Sequence, residues 1–187
     1  MHTQQLEHDA KANVTRLVAA EGKRVYLKST RLGREASEAY GKTALITRDV
    51  KADLRVLQLD GAAEFTSEQG KVSAQRLIAT DSRLQGDVLS GEGEVQGSAD
   101  GNLFKAGKAR WDLTRQELQL DGRPRLIEPR GFEVAGASIR SDTRKQQVSV
   151  TSSPEERASV TLPAVDVDGP MGLAQADRIF LSNEAGA

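Results

Sequence analysis

The chain has 187 residues, with 26 Lys and Arg against 27 Asp and Glu and a formal net charge of −1. This length fits one domain or one elongated repeat array, and the balanced charge argues against a nucleic-acid-binding protein. The absence of cysteine excludes disulfides, thiol nucleophiles and cysteine-ligated metal centres. No apolar run approaches the roughly 18 residues of a membrane-spanning helix. No signal peptide is visible at the start, which is compatible with an exported protein whose leader or anchor has been removed.

The N-terminal segment, residues 1–16, is predicted to be either a short helix or disordered. Leu6, Ala10, Val14 and Leu17 lie at helical spacing, but the surrounding residues are polar. We therefore expect a single folded domain over residues 17–187.

The rest of the chain repeats with a period of about 30 residues. The sequence LQLDG at 57–61 recurs at 118–122, and a degenerate copy at 89–95 lies between them. Each copy has a second half, in which a glycine turn leads into an apolar–x–Ala–x–x–apolar run that often ends in Asp. These second halves are residues 70–81, 101–112, 131–142 and 172–180.

Apolar and polar residues alternate within each copy. Leu118 and Leu120 share one parity, as do Val148 and Val150, and turn-forming residues recur every 8 to 12 positions. This pattern is typical of antiparallel strands with one buried face, and it leaves open a barrel, a sandwich, a jellyroll or a stacked array. The aspartates that end repeats, Asp81, Asp112 and Asp142, are expected to accept hydrogen bonds from turn amides.

The sequence predicts no catalytic residue, no metal site and no cofactor. Both histidines, His2 and His8, lie in the polar N-terminal segment, which disfavours a His-based triad or a multi-His metal site. Trp111 could stack on a sugar, although a lone aromatic residue in a repeat is more typical of a core.

The repeat resembles the OstA-like periplasmic domain, which is shared by the LptA-type and LptC-type proteins of lipopolysaccharide export. The resemblance covers residues 54–151 well, 160–181 loosely and 17–50 weakly. The matching segments are residues 110–113, 118–122, 131–142 and 147–150.

The resemblance implies an open, twisted antiparallel β-jellyroll, V-shaped in section, with an apolar groove along its length. Members of this family perform no chemistry. Their partners are lipopolysaccharide or another acylated envelope lipid, and other OstA-like proteins or further copies of themselves. They stack through edge strands in the periplasm, and acyl chains slide along the joined groove.

Alternating apolar residues are compatible with such a groove, because apolar burial is favourable without fixing a pose. Unpaired edge strands, which can template pairing with another chain, are expected near residues 18–27 and 160–181. The predicted lipid-groove residues are Leu57, Leu59, Phe65, Val72, Leu77, Val95, Leu103, Trp111, Leu118, Leu120, Leu126, Phe132, Val134, Ile139, Val148 and Val150.

Two other classes of protein remain open. A structural β-solenoid that polymerises, similar to bactofilins, is faintly matched by residues 84–88 and 95–97. A carbohydrate-active β-enzyme would need a pair of carboxylates in a cleft, and the sequence identifies no such pair.

Overall fold

In the computed structural model, the described residues are 3–29, 37–49, 54–80, 83–87, 94–163 and 172–182, and their regular structure is all strand. Every strand pairing in these ranges is antiparallel, so the predicted all-β antiparallel jellyroll is confirmed. None of the described residues forms a helix long and apolar enough to cross a membrane. The strands are β1 (Thr3–Asp9), β2 (Val14–Ala19), β3 (Val25–Ser29), β4 (Ser37–Gly41), β5 (Thr43–Asp49), β6 (Leu54–Ser67), β7 (Gly70–Ala79), β8 (Arg83–Asp87), β9 (Val95–Ala99), β10 (Asn102–Ala106), β11 (Lys108–Asp112), β12 (Glu117–Asp121), β13 (Arg125–Ile127), β14 (Glu133–Ala135), β15 (Ser138–Asp142), β16 (Gln147–Thr151), β17 (Ala158–Leu162), β18 (Gly172–Ala176) and β19 (Arg178–Ser182).

The strands form two ladders that share the long strands β6 and β7. The first sheet runs β1–β2–β5–β6–β7–β8–β11–β12–β15–β16–β19. The second runs β3–β4–β6–β7–β9–β10–β13–β14–β17–β18. Each repeat of about 30 residues therefore adds two neighbouring strands to each sheet, as β11 to β14 illustrate.

Short connections join the two sheets along one side, which we call the seam. Backbone hydrogen bonds tie successive crossings together, including Gly107 N to Gly122 O at 3.0 Å and Ser152 N to Asp177 O at 3.0 Å. Gly122 has a φ of +76°, a left-handed conformation that glycine adopts without steric cost. The seam therefore holds the two sheets together along one side.

Hairpin turns lie on the opposite side, which we call the mouth. Residues 10–13, 113–116 and 143–146 are turns of the first sheet, and residues 68–69, 100–101 and 128–132 are turns of the second. Asp112 and Asp142 accept hydrogen bonds from amides of the turns that follow them, as the sequence predicted. Asp81 lies outside the described residues.

Side chains that point between the sheets form one apolar core. Burial alternates along the strands, and Leu118, Leu120, Ile139 and Val150 are at most 2% exposed. At Gly86 of the first sheet, an added Cβ would lie 2.8 Å from Val95 Cγ1 of the second, so the sheets pack face to face at van der Waals contact.

The N-terminal expectation is wrong for residues 3–16, which form the hairpin of β1 and β2 instead of a helix or a disordered leader. Leu6 pairs directly with Leu17 across this hairpin. Asp9 Oδ1 accepts hydrogen bonds from the amides of Lys11 and Ala12, and Asn13 closes the turn with a φ of +52°. The hairpin divides the four residues at helical spacing: Leu6 lies on β1, Ala10 in the turn, and Val14 and Leu17 on β2.

Gly97 allows β7 and β9 to approach closely, so a larger residue at this position should lower the stability of the protein. A Cβ at this position would lie 2.1 Å from the Lys71 carbonyl oxygen, so Gly97→Ala is expected to cost about 2–3 kcal/mol through overpacking against backbone. Urea denaturation measures the change. Gly172→Ala is the matched control, because its nearest neighbour is the movable, exposed side chain of Leu162. Equal effects of the two substitutions would contradict the close approach.

Candidate binding interior, mouth and strand edges

Most of the predicted groove residues line the buried interior between the sheets. Leu57 and Phe132 are half-buried, and Leu103 is 56% exposed on the outer face of the second sheet. The buried members are Leu59, Phe65, Val72, Leu77, Val95, Trp111, Leu118, Leu120, Leu126, Val134, Ile139, Val148 and Val150.

The strand register arranges the interior of the first sheet in two rows. The spine row lies nearer the seam and is Leu6, Leu17, Ala44, Leu59, Leu77, Gly86, Ala109, Leu120, Ile139, Val150 and Ile179. The rim row lies nearer the mouth and is His8, Thr15, Ile46, Leu57, Ala79, Leu84, Trp111, Leu118, Ser141, Val148 and Leu181. Each row crosses all eleven strands of the sheet, which at roughly 4.8 Å per strand is about 48 Å.

The second sheet contributes a facing row that includes residues the sequence analysis missed. Phe104 is 3% exposed and points into the interior, where its strand neighbour Leu103 was expected. The alternation of Phe104 with the buried Ala106 was the available signal. The full facing row is Leu27, Ala39, Phe65, Val72, Gly97, Phe104, Leu126, Val134, Val160 and Ala174.

Two hydrogen bonds cross the mouth between hairpins of opposite sheets. Gln69 Nε2 donates to the Leu113 carbonyl oxygen at 3.4 Å. The Thr143 hydroxyl lies 3.0 Å from Asp100 Oδ2 and 3.1 Å from the Gln116 carbonyl oxygen. The Asp100 amide also donates to the Gln69 carbonyl oxygen at 2.8 Å. We call the two hydrogen bonds between the sheets, Gln69 to Leu113 and Asp100 to Thr143, the clasp, because they hold the two rims together.

Trp111 lies in the rim row close to the clasp. Its side chain is 2% exposed, and its Nε1 has no hydrogen-bond partner among the described residues. The ring reaches the second sheet, since its Cη2 would lie 3.1 Å from a Cβ added at Gly70. Ser141, a buried polar side chain at 3% exposure, lies two strands away in the same row.

Both ends of the two sheets have unpaired strand edges. At one end these are β1 and β3, and at the other β18 and β19; each pairs on one side only in the described structure. The edge expected over residues 18–27 is corrected, because β2 is covered by β1 and only the part in β3 is an edge. Over residues 160–181, β18 and β19 are edges, whereas β17 is paired on both sides.

The apolar interior is uncovered at these ends. Leu6, the first member of the spine row, is 61% exposed, and Ala174 of the facing row is also exposed. Leu173 and Phe180, on the outer faces of the two terminal strands, are 64% and 58% exposed. Apolar surface at an unpaired edge is a feature of surfaces that bind another chain.

The strand pairing defines the chain as an antiparallel β-jellyroll with an apolar interior. No protein-family model and no curated protein matches it. Among solved structures, the chain is similar to LptH, the LptA homologous periplasmic component of the conserved lipopolysaccharide transport device from Pseudomonas aeruginosa. The identity is 14%, the match covers 92% of this chain and 91% of that chain, and the TM-score is 0.34.

The Asp112 carboxylate stabilises the hairpin turn beside Trp111, so the free energy of unfolding should depend on the charge of this carboxylate and therefore on pH. The Arg115 amide, which donates to Asp112 Oδ1 at 2.9 Å, lowers the pKa of the Asp112 carboxyl below its ordinary value, and partial burial opposes this effect. A lowered folded-state pKa contributes stability above about pH 4 that is lost as pH falls through the folded value. Asp112→Ala should therefore cost about 1 kcal/mol at neutral pH, and the difference should shrink towards about pH 2.

Urea denaturation of both proteins across this pH range measures the difference. Glu128→Ala is the control, because the Glu128 side chain makes no hydrogen bond or ion pair within the described ranges. A cost of Asp112→Ala that stays constant down to acid pH would show that the charged carboxylate is not what stabilises the turn.

Proposed function

We propose that the chain is a non-enzymatic lipid-binding bridge of the bacterial periplasm, which moves lipopolysaccharide or a similar acylated envelope lipid through its interior. The observation that carries the proposal is the continuous apolar interior, which crosses every strand and is uncovered at both ends beside unpaired edges. The sequence resemblance to OstA-like domains supports the choice of lipid.

The interior suits a ligand that has to move. Apolar contact contributes about 25 cal/mol per Å² of buried surface without a directional preference, so acyl chains can bind rows of Leu, Val and Ile without adopting one pose. In the described structure, the protein's own side chains fill the space between the sheets. A lipid would replace contacts between the sheets with contacts to its chains, while the seam keeps the sheets joined.

The histidine and the acidic side chains of the described residues are compatible with this proposal. His8, the histidine in the described part, lies exposed on β1, with Nδ1 2.9 Å from Thr15 Oγ1. The described residues contain no cluster of three or more His, Cys, Asp or Glu side chains that could hold a metal ion. Transfer of a lipid along an apolar path requires neither a catalytic histidine nor a metal ion.

Assembly would extend the path beyond one chain. The free edge of β19 can pair with β1 of a second copy, or with the edge of another OstA-like protein, by β-augmentation. Ile179 of one chain would then continue into Leu6 of the next, so that the spine row runs on across the junction. A parallel β-solenoid polymer of the bactofilin type is disfavoured, because the described strand pairings are antiparallel.

Photocrosslinking tests the path of the lipid. A photoreactive amino acid at Leu120 or Val134, both 0% exposed, should crosslink to a lipid A-type ligand, because both side chains face the interior. The same amino acid at Arg110, exposed on the outer face, is the control and should crosslink weakly. The proposal fails if neither interior position reacts while a known lipid conduit treated in parallel does.

Charge at the terminal edge tests assembly. Leu173→Lys places a positive charge on the unpaired strand β18 and should raise the protein concentration needed for half-assembly about tenfold, equivalent to about 1.4 kcal/mol. Leu103→Lys is the matched control, because this leucine is similarly exposed on β10, which is paired on both sides. Analytical ultracentrifugation measures the size distribution. Equal weakening by both substitutions would exclude assembly through this edge.

A further inference from the structure

Trp111 presents a buried hydrogen-bond donor that nothing in the described structure satisfies. Leaving such a group unpaired is costly, and the great majority of buried polar groups in proteins are paired. Binding of acyl chains does not explain this N–H, because the apolar part of a lipid accepts no hydrogen bond. Trp111 is also the only tryptophan in the sequence.

The position of Trp111 limits what could satisfy it. The side chain lies between Leu84 and Leu118 in the rim row, directly paired with both. This part of the interior is apolar, so a fully hydrated phosphate or sugar would lose its water without enough compensating partners. The mouth is nearby, because the Leu113 carbonyl oxygen belongs to the clasp. The Trp111 side chain therefore lies between the apolar rows of the interior and the polar hairpins of the mouth.

We propose that Trp111 Nε1 donates a hydrogen bond to the carbonyl oxygen of the acyl linkage, ester or amide, of the bound lipid. This inference rests on the proposed lipid-binding function and names the feature of the ligand that the interior recognises. A carbonyl oxygen is an acceptor without charge, and it is attached directly to the acyl chains that the rows of apolar side chains bind. The donor thus favours acylated lipids over hydrocarbons of the same shape.

Nuclear magnetic resonance tests this contact directly, because a single tryptophan gives a single indole N–H resonance. The probes are a diacyl phosphatidylglycerol and its dialkyl ether analogue, which have the same chains and head group but differ in the carbonyl. The ester lipid should move the resonance downfield as the hydrogen bond forms, and the ether lipid should not. Binding of both lipids with equal shifts would overturn the inference, whereas binding of neither would count against lipid binding as a whole.

A substitution supplies the second measurement. Trp111→Phe removes the donor and keeps an aromatic ring, so the preference for ester over ether lipid should fall about tenfold, to near unity. Affinity is read from displacement of a fluorescent fatty acid. Phe104→Leu is the control, because it alters a buried aromatic residue that has no polar atom; it should weaken both lipids and keep the preference. A preference that survives Trp111→Phe would exclude Trp111 as its source.

The clasp carries a second, independent inference. Its contacts join residues of opposite sheets, Gln69 to Leu113 and Asp100 to Thr143, while the seam joins the sheets on the other side. Each of these hydrogen bonds contributes far less than the burial of the two sheet faces, so they can open without unfolding the sheets. We infer that the mouth opens at the clasp to admit the lipid from the side.

A lock across the mouth tests the clasp. The chain has no native cysteine, so Asp100→Cys with Thr143→Cys supplies the only thiols, and oxidation or a short dimaleimide crosslinker joins them. Locking should slow uptake of a fluorescent phosphatidylglycerol at least about tenfold, and reduction of the disulfide should restore it. The pair Gln119→Cys and Arg140→Cys, directly opposite on one sheet, is the control and should not slow uptake. Unchanged uptake by the locked mouth would show that lipid passes only through the ends.

Discussion

The mutual burial of two inward sheet faces is the interaction on which the rest of this structure depends. Side chains alternate between faces with a period of two, so a shift of one residue in any strand would move its apolar set into water. The register is held from Leu6 to Ile179 without a break in the spine row. The seam, the clasp and the uncovered ends all follow from keeping that register over two ladders joined along one side.

The repeat made most of the architecture predictable from the sequence. Asp112 and Asp142 are 30 residues apart and stabilise equivalent turns, and Leu118 and Val148 occupy the same row. The N-terminal hairpin was missed because its apolar spacing also fits a helix. The turn begun by Asp9 has the form of the later two, an aspartate followed four positions on by a residue with positive φ.

The candidate site was less predictable, for two physical reasons. In the short strand β10, Leu103 and Phe104 are adjacent apolar residues, and the only pattern that separates them is the one pair that follows, Lys105 and Ala106. The neighbouring strand β9 determines the orientation of β10, because Phe104 lies opposite Gly97, where only glycine leaves room for its ring. The clasp joins residues 43 and 44 positions apart in the chain, so it arises from the meeting of two sheets and leaves no local pattern. The unpaired indole of Trp111 is likewise a property of packing.

The repeat has a consequence for how such a protein could change size in evolution. Duplication of one unit of about 30 residues would insert two strands into each sheet, and would lengthen the molecule by roughly 10 Å. The new unit would bring its own aspartate turn and its own seam crossing, and its neighbours would keep the partners they already have. Length can therefore grow or shrink in fixed increments, without redesign of either terminus.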